Sequence, residues 1–165
     1  MMRDRDALSF ADAVGRLYAR RYGMAPMTGR LLGWLMICDP PTQTAAELAR
    51  ALGVSRSAVG AAVSLLERWC YLQRSHVPGQ RAEQIRLHPA VAERSLEDPQ
   101  EYLDQAALAR CGLELLGDTS MAKRARLLEM AAFADFLARR TPELAVEWRA
   151  HREALRAAGD LPTAD

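Results

Sequence analysis

Apolar positions recur at steps of three and four along most of this chain, and in one stretch the period drops to two. Phe10, Val14, Leu17 and Tyr18 mark a first stripe, predicting a helix over 6–22 that "YGMAP" breaks. A second helix, over 27–38, is apolar almost all round through Leu31, Leu32, Trp34, Leu35, Met36 and Ile37, as a central core element is. The two prolines of "DPPTQ" end it. Thr44 and Glu47 stand at capping-box spacing ahead of "AELARAL", and Gly53 closes that helix. Ser55 is an N-cap for the next, which runs to about Trp69. "YLQRSHV", "PGQ" and "AEQIRL" then read as a hairpin with Pro-Gly at its tip, and the alternation leaves open which strand face packs inward. Asp98-Pro99 opens a further helix to about Leu116, closed by Gly117-Asp118. Ser120 caps another, with Leu127, Met130, Ala131, Ala134 and Leu137 on one stripe. Thr141-Pro142 interrupts that helix or starts a new one, in which Leu144, Trp148 and Leu155 keep helical spacing.

This order predicts a mainly α protein with a small β wing: a winged helix-turn-helix core plus N- and C-terminal dimerisation helices. The expected division is 1–25 for the N-terminal dimerisation helix, 26–90 for the DNA-binding lobe and 91–165 for the C-terminal helical dimerisation region. Leu48, Leu52, Val59, Val63, Leu66, Leu72 and Leu87 close the lobe's core. Phe10, Val14, Leu17, Phe133, Phe136, Leu137, Leu144 and Trp148 then need another surface, and a second copy of the chain is the economical one.

The helix after Ser55 has an unusual outward side. Val59, Ala62, Val63 and Leu66 share one face, which leaves Ser57, Gly60, Ala61, Ser64 and Arg68 opposite. Small side chains let a helix sit deep in a major groove about 12 Å wide. Gly60 costs roughly 1 kcal/mol of helix propensity relative to alanine, so its mid-helix place asks for a close approach. Ser55, Arg56 and Ser57 lie at the helix N-terminus, which favours phosphate, and Arg56 could instead reach a guanine edge. Thr44 at the preceding helix start, Arg68 and Arg74 as backbone contacts, and Gln80 and Arg81 on the wing complete the DNA-binding candidates. Arginine on a wing tip commonly enters the minor groove.

Charge and composition sharpen this picture. The 165-residue chain carries a net charge of +1, which does not suit a bulk polyanion binder. Yet residues 44–88 hold six arginines against three glutamates, while 89–165 hold ten basic and fourteen acidic residues. A local basic face on a near-neutral chain suits selective nucleic-acid binding. The main rival is a winged-helix protein-interaction module that does not bind DNA, which a large apolar patch on the same helix would have favoured.

Other chemistry finds little footing. His76, His88 and His151 belong to separate elements with no metal-ligand spacing, so no catalytic residue, metal or cofactor is expected. Cys38, Cys70 and Cys111 form no CxxC pair and read as free thiols in a reducing cytosol; a redox role for Cys38 lacks an activating neighbour. "MMRDRDALSF" has no apolar leader core and no stretch approaches a membrane span, so a soluble cytoplasmic protein is expected. Met24, Met27, Trp34 and Met36 could wall a site for a small apolar ligand, although core packing explains them equally well.

The run from "MTGRLLGWLMICDPP" through "ELARALGVSRSAV" to the wing "VPGQR" resembles the MarR-type winged-helix regulators, in particular the GbsR-like branch. The tail, "RLLEMAAFADFL" followed by "TPELAVEWR", resembles that branch as well. The resemblance implies a bacterial homodimer with interleaved terminal helices and two winged helices on a pseudo-palindromic operator. It also implies a transcription regulator, usually a repressor, whose DNA affinity can respond to a small ligand. Residues 55–64 match the recognition helix and 78–81 the wing tip. Family wings often carry a double arginine where this chain has Arg81-Ala82-Glu83, which implies weaker minor-groove contact.

Overall fold

The computed structural model describes residues 4–76, 79, 82–93, 96 and 99–162, and the chain divides into two compact units at Val91/Ala92. The first unit begins with α1 (Asp4–Tyr22) and α2 (Pro26–Leu35), which pack closely along each other. Glycines make that approach possible. A Cβ on Gly33 would lie 2.7 Å from Val14 Cβ and 3.0 Å from Ala11 Cα, and one on Gly29 would lie 2.9 Å from Gly15 Cα. Val14, expected at a subunit interface, is buried in this contact. Gly33→Ala is therefore expected to cost ~1–3 kcal/mol, read as a lowered thermal midpoint by circular dichroism. An unchanged midpoint would show that the two helices can part freely.

The predicted second helix stops earlier than residue 38: it ends at Leu35 with Met36 as its C-cap, and the Ile37 amide closes a tighter turn on the Trp34 carbonyl three residues back. There follow β1 (Gln43–Thr44), α3 (Ala45–Leu52), α4 (Arg56–Arg68), β2 (Leu72–Ser75) and β3 (Gln84–Leu87). The strands form an antiparallel sheet in the order β1-β3-β2. β1 is too short to leave a periodic signal, so the sequence shows only the β2–β3 hairpin. Gly53 ends α3 with φ +65°, a conformation that suits glycine. The core gathers Leu31, Leu32 and Leu35 from α2, Leu48 and Leu52 from α3, Val59, Val63 and Leu66 from α4, and Leu72 and Ile85 from the strands. Leu72 settles the open question of strand facing: its side of β2 packs inward on α4.

The second unit is a helical pair, α5 (Gln100–Leu116) and α6 (Met121–Ala158). The break expected at Thr141-Pro142 is absent, and α6 runs through it. Proline removes only its own N–H from the ladder, and the hydrogen bonds on either side keep the helix in one piece. Among the described residues the buried apolar side chains of this unit are all alanines: Ala106, Ala109, Ala131, Ala134 and Ala145. The contact is close enough that a Cβ on Gly112 would lie 2.9 Å from Leu127 Cδ1. The large side chains point outward instead, with Phe133 60% and Phe136 50% exposed.

Candidate nucleic-acid interface

α3 and α4 meet at the short turn after Gly53, and their start residues are fixed by capping. The Thr44 hydroxyl accepts from the Glu47 amide at 3.2 Å. The Glu47 carboxylate in turn accepts from the Thr44 amide at 2.7 Å and its hydroxyl at 2.8 Å. The backbone donor first, then the hydroxyl, hold the Glu47 pKa below its ordinary value. A depressed carboxylate stabilises the fold above its unfolded pKa of about 4.3, and that contribution fades as pH falls through the lower folded value. Comparing Glu47→Gln with wild type across an acid titration is expected to show a gap under about 1 kcal/mol near neutrality that closes on acidification. A gap independent of pH would remove the ionised cap from the explanation.

Ser55 caps α4, its Oγ accepting from the Ala58 amide at 3.2 Å and lying 3.0 Å from Ser57 Oγ. α4 then divides as its spacing predicts. Val59, Ala62, Val63 and Leu66 are buried, while Arg56, Ser57, Ala61, Ser64 and Arg68 are exposed. A Cβ on Gly60 would meet nothing within 4 Å, so no contact inside this chain requires glycine there. No large apolar side chain is exposed on α4. Arg56 and Arg68 make no ion pair among the described residues.

A recess of about 260 Å³ lies beside this helix. Thr44, Arg56, Gly60, Arg74 and Glu83 line it, together with Ala82 and Ile85 beside the wing. Four of the sequence candidates are thus brought to one place by three different elements. Arg74 is held there by Glu67, Glu83 and Ser64. Neither glutamate was singled out by sequence, and the only signal was their rarity: Glu47, Glu67 and Glu83 are the acidic residues of the stretch 44–88. Gln80 and Arg81, the wing-tip candidates, lie outside the described residues, as does Pro78.

The ligand candidates are dispersed. Met24 is buried in the core, Met27 and Trp34 pack against it, and Met36 is 40% exposed. The Trp34 indole N–H donates to Gln43 Oε1 at 2.9 Å, tying α2 to β1. Met27 lines a separate recess of about 280 Å³ with Asp12, Gly15, Arg16, Pro26 and Arg30. Cys38 is half-buried, and its thiol is raised above the ordinary value, chiefly by burial, which disfavours thiolate chemistry. Among the described residues no cluster of His, Cys, Asp or Glu could hold a metal ion, and no helix is long and apolar enough to cross a membrane.

Comparison with known proteins agrees with this geometry. Residues 22–83 match the MarR family, and residues 91–151 match the description "MmpR5-like MarR family transcriptional regulator". The HTH-type transcriptional regulator MmpR5 of Mycobacterium tuberculosis is 34% identical over 126 residues, which is 76% of each chain. A crystal structure described as that of a transcriptional regulator superposes with a TM-score of 0.81 at 28% identity, covering 88% of this chain and 99% of the other. The two family matches fall mainly on the two compact units in turn.

Proposed function

We propose that this chain, which belongs to the MarR family of transcriptional regulators, is a homodimer that represses transcription by reading a pseudo-palindromic operator. The observation that carries the reading is the outward face of α4, small at every turn, open above Gly60 and flanked by Arg56 and Arg68. Such a face admits the helix to the major groove, where Ser55, Arg56, Ser57, Gly60, Ala61 and Ser64 lie against base edges and Arg68 against phosphate. Gln80 and Arg81 serve the minor groove from the wing tip. The absence of a large exposed apolar side chain on α4 favours DNA over a protein partner. Dimerisation is supported by the second unit, whose buried apolar side chains among the described residues are alanines while its phenylalanines are largely exposed. Within the family, the match over 91–151 favours the neighbourhood of MmpR5, whereas the GbsR-like assignment rests on the sequence stretches alone. A small apolar ligand that tunes DNA affinity, and a cytoplasmic location, belong to the same reading.

Fluorescence-anisotropy titration tests it, using DNA upstream of the protein's own gene against scrambled DNA at two salt concentrations. Preferred binding to the natural fragment that weakens steeply with salt is the expected result. Equal, weak binding to both would point to another partner for the winged helix. On the same fragment, Arg56→Ala is expected to cost ~1–3 kcal/mol and relax selectivity at one base pair. Uniform weakening across mismatched operators would make Arg56 a phosphate contact instead.

A further inference from the structure

The geometry points to Arg74 as a positioning residue that clamps the wing strands to the recognition helix, in place of the phosphate contact its charge suggests. This rests on the DNA-reading role proposed above for α4 and the wing. Every nitrogen of its guanidinium is engaged: Nε with Glu67 at 2.9 Å, Nη1 with Glu83 at 3.2 Å, and Nη2 donating to Ser64 Oγ at 3.0 Å. Ser64 and Glu67 belong to α4, Arg74 to β2, and Glu83 directly precedes β3. One side chain therefore bolts the helix to both strands of the hairpin.

The strand period explains why Arg74 reaches α4 at all. It stands two residues beyond buried Leu72, hence on the same sheet face, at the register position paired with Ile85. Leu72 packs into the core, and Arg74, further along the strand, meets the outward turn of α4 instead. The existing pairing opposes a phosphate role. The guanidinium already stands between two carboxylates, so a phosphate would have to displace an ion pair already made. Only a planar guanidinium spans three acceptors in this way. The Ser64 hydroxyl, accepting from Arg74, keeps its own hydrogen to donate outward.

Two measurements test the clamp, and the first needs no DNA. Amide hydrogen exchange of residues 72–75 and 82–87 is expected to rise about fivefold in Arg74→Gln, with α1 and α2 unchanged. Unaltered exchange in the strands overturns the clamp whatever DNA binding shows. The second measurement is affinity across a salt series on a fragment that the wild type binds. Arg74→Gln is expected to lose affinity at an unchanged salt slope, and Arg74→Lys to behave like it. A slope shallower by ~0.9, the value for one lost phosphate contact and the expectation for Arg68→Gln, overturns the clamp, as does full rescue by lysine. Should the wild type bind no fragment, the DNA-reading role fails, and the exchange result alone decides whether Arg74 holds the wing.

Discussion

Glutamate in place of both Phe133 and Phe136 is expected to turn the proposed dimer into monomers and to lower operator affinity about 10²–10⁴-fold, the usual worth of linking two binding modules. The reason lies in how α6 spends its faces. Ala131, Ala134 and Ala145 are buried, and Ala106 and Ala109 of α5 are buried with them, so among the described residues no large apolar side chain of the second unit is fully enclosed within the chain. A pair of helices held by alanines buries too little apolar area to stand alone, since each phenylalanine side chain left in water forgoes about 2–3 kcal/mol. In the homodimer proposed above, a second copy supplies the missing surface. Because both phenylalanines are at least half exposed and neither belongs to the buried core, the substitution disturbs the packing inside the chain little. Sedimentation velocity with anisotropy on the same samples checks it. A double variant that stays dimeric would move the interface to another face, while a monomer with unchanged affinity would mean that each winged helix acts by itself.

The second large effect concerns Gly60. Leucine there is expected to weaken operator binding about 10–100-fold, at ~1.4 kcal/mol per factor of ten, without lowering thermal stability. The two halves of that statement come from one fact: a Cβ at 60 meets nothing within 4 Å in the protein. The free fold therefore has room for the side chain, and loss of glycine from a helix interior adds up to about 1 kcal/mol of helix propensity. In the docking proposed above, DNA drawn against the same face leaves no such room. Gly60 and Gly33 thus make an opposed pair. Replacing Gly33 injures the fold because the gap it leaves is filled by Val14 and Ala11. Replacing Gly60 is expected to injure recognition instead, because no atom of the chain fills its gap. Thermal melts beside anisotropy titrations separate the two, and a Gly60→Leu protein that melts early or binds as wild type would sink the argument.

The helix-turn-helix was legible because its signals are local. Thr44 and Glu47, Ser55 and Gly53 act within one turn of the chain, so capping and the left-handed stop can be read from a few neighbouring residues. The split of α4 into a core face and a small outward face follows from period 3.6 alone, and the structure keeps it. The outward phenylalanines could also be counted as surplus to the lobe's core.

What the sequence could not decide were contacts between residues far apart. Whether Thr141-Pro142 breaks a helix depends on hydrogen bonds and packing on both sides of it, and α6 continues through. Val14 shares a stripe with Phe10 and Leu17, yet only Val14 is buried, because Gly33 on another helix opens a slot for it while Phe10 and Leu17 stay exposed. Arg74 looked like one more cation in a basic stretch. Its role turns on Glu67, Glu83 and Ser64, which α4 and the paired strands bring to its three nitrogens. Periodicity and capping are properties of one segment and survive in the bare sequence. The partners of a charge, and the depth of a side chain, exist only once separate segments meet.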